Sequence, residues 1–286
     1  MNDLSTLGIY LLDLLWELRD TDLPIIIGGG YGIFLKTEYV RTHHLRTLLD
    51  KRPESRSTSD LDLFLRPELL IEPKKLAPLA KAIERLGYIV IPTAQKYQFV
   101  KPGPGNVGEI KIDLLTGPQS QFSGSNAKVD RRRVRPKPSV GLHAHIVDEA
   151  PSLEKNLLAL PLSGMLTQGI QYTGNIFIPH PYTYLMMKLF AFKDRCEDES
   201  KEFGRYHALD LYSIIATTTE EEWLAFSSFR NQFKGEPSVQ EAAAIVTKYF
   251  SMPTALGMIR MRESHYYRPD LQIDLFIELL RESFSE

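Results

Sequence analysis

The sequence predicts an α+β protein in two parts: a mixed β-sheet with flanking helices over residues 1–178, then an α-helical bundle over residues 179–286. Three observations lead there. Through the first half, apolar runs of strand length alternate with helical periodicity in the order α-β-α-β-α-β-β-β, which means α/β or α+β with a mixed sheet. From Pro181 onward strand signals stop and helical spacing takes over. The length of 286 residues suggests about two domains.

Each element has its own warrant. Leu7, Tyr10, Leu11, Leu14, Leu15 and Leu18 recur at helical spacing, so the chain opens on an amphipathic helix. It lacks a basic leader, and Asp13, Glu17 and Asp20 interrupt it, so it does not read as a signal peptide. Asp22 and Pro24 break the pattern, and Pro24–Ile27 reads as a short buried strand running into Gly28, Gly29 and Gly30. Residues 31–49 read as helix and 55–59 as loop. Leu61 to Leu65 is a strand with Asp60 at its start. A helix over 71–86 is entered through Pro73 and closed by Gly87. Strands follow at 88–92, 96–100 and 108–117. Residues 118–162 are polar and carry no clear periodicity, and 163–179 suggests one or two strands. Helices are expected at 181–195, 201–216, 219–233, 237–250 and 270–284.

Composition excludes several classes. Apolar content of 43% and charged content of 24% are those of a soluble globular chain. A net charge of −2 argues against a bulk polycation, while local basic patches remain. The single cysteine, Cys196, rules out an internal disulfide framework and a cysteine-based zinc site. No run is long enough to span a membrane. A cytoplasmic location is expected.

The chemistry gathers between residues 24 and 113. A strand, three glycines and a helix start form a ready anion site, because free backbone N–H groups point outward there. Glycines also serve plain tight turns, so the cluster needs support. Neither the P-loop nor the dinucleotide spacing occurs at Gly28–Gly30; a GxGxxG match at Gly103, Gly105 and Gly108 precedes a strand, not a helix, and is set aside. Asp60 and Asp62 supply the support. At i and i+2 of a strand they share a face and repel, so a cation belongs between them. Mg²⁺ binds through one or two carboxylates plus substrate phosphates. Asp113, in the apolar pattern Ile110–Leu115, adds a third strand-borne acid, as a metal ligand or as general base on an attacking hydroxyl.

Other charges fit round this core. Lys188 is the only charge in Tyr182–Phe192, and Asp210 the only one in Ala208–Ile215. Such lone charges either snorkel to water or face a cleft, where Lys188 would neutralise triphosphate and Asp210 would orient Lys188 or a substrate hydroxyl. Arg195 and Arg205 are further phosphate candidates. Two basic runs stand out. One places Lys36, Arg41, Arg46, Lys51, Arg52 and Arg56 near the site. The other holds Lys128, Arg131, Arg132, Arg133, Arg135 and Lys137 against Asp130. Such runs are usually solvated faces, but beside a phosphate site they make an RNA acceptor plausible, with Arg131, Arg132, Arg133 and Arg135 as its contacts.

The strings IIIGGGYGIFLK, RSTSDLDLFL and IKIDLL, over roughly residues 24–115, resemble the nucleotidyltransferase fold of the polymerase-β superfamily. PYTYLMMKLFAFKDR and FGRYHALDLY, within 180–215, are similar to the helical half of the AbiEii/AbiGii toxin-like nucleotidyltransferases. The resemblance implies transfer of NMP from an NTP with release of pyrophosphate and a need for Mg²⁺ (or Mn²⁺). It implies an RNA acceptor such as a tRNA 3′ end, a role in toxin–antitoxin or phage-defence systems, and a cognate antitoxin. Carried onto this chain, Asp60, Asp62 and Asp113 are the metal set. Gly29, Gly30, Arg56, Thr58, Ser59 and Lys188 bind nucleotide, and Lys188 and Asp210 match the family's two helical motifs. Two features depart from the family: Gly-Gly-Tyr-Gly-Ile replaces the commoner Gly-Gly-Thr-Ala-Leu, and 29 residues separate Gly30 from Asp60. The long basic segment between them is the expected selector of the acceptor, with a small molecule or a protein side chain as the alternative acceptor.

Overall fold

Strand pairing in the computed structural model, which describes residues 4–54, 58–94, 96–103 and 108–285, makes the protein α+β. The chain divides into two units. One comprises Met1–Gly32, Ser57–Asp148 and Asn156–Pro179; the other comprises Ile33–Arg56, Glu149–Lys155 and His180–Glu286. One passage between the units falls at the Pro179–His180 step, and two earlier segments group with the helices.

The first unit carries every described strand. These are β1 (Ile26–Ile27), β2 (Asp60–Leu65), β3 (Ile89–Val90), β4 (Gln98–Pro102), β5 (Glu109–Thr116), β6 (Lys128–Asp130), β7 (Arg133–Arg135), β8 (Ala144–Ile146), β9 (Leu158–Met165) and β10 (Gln171–Ile178). They form one mixed sheet in the order β6-β7-β8-β5-β2-β1-β10-β9, with β4 also on β5 and β3 on β4. Alternation sorts the side chains. Leu61, Leu63, Leu65, Ile110, Ile112 and Leu114 lie on one face, each at most 1% exposed. Asp60, Asp62, Lys111 and Asp113 take the other.

Helices cover the apolar face. In α1 (Leu4–Glu17) the residues expected at helical spacing are buried, and the helix packs on β9 and β10. Small residues permit the approach: a Cβ at Gly164 would stand 2.8 Å from Leu12 Cδ1, and one at Gly174 3.1 Å from Leu15 Cδ1. The helix expected over 71–86 is α4 (Pro73–Arg85), and a separate short helix, α3 (Pro67–Ile71), precedes it. Pro73 lacks an N–H and disfavours helical backbone at Glu72, which sits at φ −109° and ψ 81°.

The helix after the glycines, α2, runs from Gly29 to Thr42, starting earlier and ending earlier than its periodicity suggested. In the second unit, α5 (Pro181–Lys193) is apolar on nearly every side and so is central. Its contacts include α6 (Arg205–Thr217) and α8 (Pro237–Tyr249). Around them stand α7 (Glu220–Phe233), α9 (Leu256–Arg262) and α10 (Ile273–Glu282). Starts are encoded locally: Pro181 and Pro237 sit in first turns, and Thr219 and Glu222 form a capping box on α7. The helix expected from 201 begins at Arg205, because Glu202, Phe203 and Gly204 have positive φ. No described helix is long and apolar enough to cross a membrane.

Candidate active site

The glycine turn is laid directly on Asp62. β1 pairs antiparallel with β2, Ile26 against Phe64 and Ile27 against Leu63. The next residue, Gly28, therefore faces Asp62, and its N–H donates to the Asp62 carbonyl at 2.8 Å. A Cβ on Gly28 would meet the Phe64 ring at 2.3 Å. Gly29 has φ +60°, and a Cβ there would stand 1.6 Å from Asp62 Oδ2. The Gly32 N–H donates to the Gly28 carbonyl at 2.9 Å, so α2 starts at once. The turn thus brings a helix N-terminus, with its unsatisfied N–H groups, beside a carboxylate.

The second acid is set by register. β2 and β5 run parallel with Asp62 beside Asp113 and Asp60 beside Lys111. Gln98 lies opposite Asp113 on β4, and its Nε2 donates to Asp113 Oδ2 at 3.1 Å. Asp113 Oδ1 is buried with no hydrogen-bond partner among the described residues. Burial, and then the neighbouring Asp62 charge, push the Asp113 carboxyl up to about 7; Asp60 adds to this, and Gln98 and Lys111 oppose it. Asp60 is dressed by its neighbours: Ser59 Oγ donates to Asp60 Oδ1 at 3.1 Å, and the Asp60 N–H donates to Thr58 Oγ1 at 3.4 Å.

The raised Asp113 carboxyl has a stability consequence. Between pH 4 and 7 the folded chain holds a proton that the unfolded chain has released, so stability falls as pH rises through that window. The loss expected is roughly 2–4 kcal/mol. Urea midpoints at pH 5 and pH 8 in EDTA measure it, and Asp113→Asn flattens the difference. An equal pH dependence in the variant would remove Asp113 as its source.

Among the described residues, no group of three or more His, Cys, Asp or Glu side chains is already gathered as a metal centre. Two crowded carboxylates and an orphaned buried oxygen nevertheless make a donor set short of positive charge. That set fits an ion that arrives with phosphate ligands rather than a closed protein cage.

The other expected site residues are distributed as follows. Gly30 lies in the first turn of α2. Arg56 falls outside the described residues. Lys188 and Asp210 neither snorkel nor stand apart: within the helical unit Lys188 Nζ donates to Asp210 Oδ2 at 2.7 Å, and the residues are 7% and 4% exposed. Arg195 donates to the Ala191 carbonyl, and Arg205 pairs with Glu263. Arg131 and Arg132 form the β6–β7 turn; Arg133 and Arg135, on β7, both donate to Asp130 Oδ2.

The basic run from Lys36 is not a free patch. Lys36 is buried against Glu222, Arg41 pairs with Glu38, Arg46 with Glu220, and Arg52 bonds the Ala216 carbonyl and Thr47. Lys36 and Arg52 tie segments of the helical unit together, while Arg41 and Arg46 stay largely exposed. Sequence reasoning missed Gln98, whose role comes only from strand register and leaves no local mark.

Neither the protein-family models nor the curated proteins contain a match to this chain. Among solved structures, the chain is similar to a solution structure of the antibiotic-resistance factor ANT(2'')-Ia, at 14% identity. That likeness covers 80% of this chain and 94% of the other, with a TM-score of 0.38.

Proposed function

We propose that the chain is a metal-dependent nucleotidyltransferase that moves NMP from an NTP to a hydroxyl. The observation that carries this reading is Asp62 and Asp113 side by side on adjacent strands, with the Gly29 turn closed over Asp62. Asp60 and Asp62 would hold Mg²⁺ with the triphosphate, and the ion would supply charge neutralisation at the phosphates.

The residues divide the work. Gly29 and Gly30 present backbone N–H groups to phosphate at the start of α2. Asp113, anchored by Gln98 and titrating near neutrality, takes the proton of the acceptor hydroxyl. The acceptor oxygen forms its bond to the α-phosphorus as the bond to the bridging oxygen breaks. Pyrophosphate leaves. Lys188, held by Asp210, is the cation assigned to the triphosphate. Lys188→Met is expected to raise KM for NTP roughly tenfold or more, the scale of one charge-assisted contact. An unmoved KM in a folded variant reduces the pair to a structural ion pair.

RNA, and a tRNA 3′ end in particular, is the proposed acceptor, supported by Arg133 and Arg135 on the face that carries Asp113 and by the Arg131–Arg132 turn beside them. A toxin role with a neutralising partner is the proposed setting. The test is incubation with each α-labelled NTP, Mg²⁺ and total tRNA. Label is expected in RNA from the native chain and absent in EDTA. Label in a small molecule or protein instead would replace the acceptor. NTP binding by calorimetry without any turnover would make the chain a silent binding relative. Expression that leaves a bacterial host's growth untouched would remove the toxin setting alone.

A further inference from the structure

The sheet forks beyond Asp113. β5 pairs with β4 along Glu109–Asp113, then with β8 at Leu115 and Thr116. Two strands thus share one edge of β5 in succession. A hollow of about 670 Å³ stands here, lined by Thr93 and Tyr97 on the β4 side and by Arg131, Arg132, Arg133 and His145 on the other. A volume of that size suits a ligand larger than a single phosphate.

Register ties the hollow to the acids. His145 stands beside Leu115, two positions past Asp113 and on its face, and Arg133 stands beside His145. Strand spacing and rise put Arg133 roughly 12 Å from Asp113. Three guanidinium groups line the hollow against one carboxylate, Asp130. The rings of Tyr97 and His145 lie 5.5 Å apart. Burial and the Arg132 charge hold His145 below its usual range, so at neutral pH it is an uncharged ring.

The turn itself runs against local preference. Arg131 has φ +56° in a two-residue hairpin loop, where glycine or asparagine is favoured. An arginine there costs about 1 kcal/mol of backbone strain, and its exposed charge is what the strain retains.

We infer that this hollow docks the acceptor of the proposed reaction, and that it takes the single-stranded end of an RNA, phosphates on the arginines and a base against Tyr97 and His145. The inference rests on the nucleotidyltransferase reading for its role, but its chemistry stands on the hollow. Guanidinium groups bind phosphate in forked pairs, and aromatic rings accept any base. A polycationic acceptor would be repelled.

Binding tests it apart from catalysis. Anisotropy of a fluorescent RNA with a single-stranded 3′ end is followed in EDTA, without NTP, across a salt series. The double variant Arg131→Gly/Arg132→Ala is expected to bind at least roughly tenfold more weakly and to lower the salt slope by about 1.4, the contribution of two phosphate contacts on single strands. Tyr97→Ala is expected to weaken binding roughly tenfold with little change in slope. Arg131→Gly relieves the turn, so its melting temperature is expected to hold or rise. RNA affinity unchanged in the folded double variant overturns the proposal. Competition by a sugar phosphate as strong as by RNA overturns its RNA part and leaves a small phosphate ester as occupant. NTP binding by the native chain is measured separately by calorimetry; its absence would sink the nucleotidyltransferase reading, while RNA affinity still decides the hollow.

Discussion

Asp62→Asn is expected to stop the proposed nucleotide transfer without unfolding the chain. The expected loss is at least about 10³-fold in kcat, because the substitution would remove one of the two charges that would hold Mg²⁺ with the triphosphate. The fold is expected to persist for local reasons. Asparagine has the size of aspartate, so it fits beneath the Gly29 turn. The bond from the Gly28 N–H goes to the Asp62 backbone carbonyl, which the change leaves in place. The variant also removes a repulsive neighbour from Asp113. Metal-free stability at pH 8 is therefore expected to rise slightly, by about 1 kcal/mol or less. Label transfer and a urea melt on the same preparation check both halves. Activity retained within tenfold would remove Asp62 from the metal site, and a large stability loss would void the interpretation.

Much of this site was legible because residue type alone carried it. Two acids at i and i+2 in an apolar strand, a third in a second strand and a glycine turn before a helix are local patterns, and the fold places three of these features together. What the sequence withheld was register. Nothing local says that Asp62 stands beside Asp113 or that Gln98 holds Asp113. The run from Lys36 hides a buried pair for a related reason. Lys36 looks like a surface charge until Glu222, 186 residues away, is folded against it. Arg131 and Arg132 lie in a turn, and Arg133 and Arg135 in a strand of only three residues, too short for a period of two to register. β6, β7 and β8 were accordingly absent from the expected fold, and the hollow with them. Among the helices, α9 was missed because its seven residues hold barely two turns of pattern.

Gly29→Ala is expected to cost nearly as much transfer activity as Asp62→Asn, by a different route. Two effects add at this position. Backbone at φ +60° disfavours any residue with a Cβ, at about 1 kcal/mol. The Cβ would also stand 1.6 Å from Asp62 Oδ2. Either the carboxylate swings away from Asp113, or the turn lifts and takes the start of α2 with it. Both displace the groups assigned to phosphate and metal. Gly87→Ala separates the two effects. Gly87 has φ +78°, yet a Cβ there meets nothing within 4 Å. Its variant should lose about 1 kcal/mol of stability from strain alone and keep full activity. If both variants lost stability equally and both kept activity, Gly29 would be an ordinary turn glycine. If Gly29→Ala alone loses transfer, the close approach to Asp62 is what the glycine is for. The sequence pattern at this turn is then explained by the space the carboxylate occupies as well as by backbone freedom.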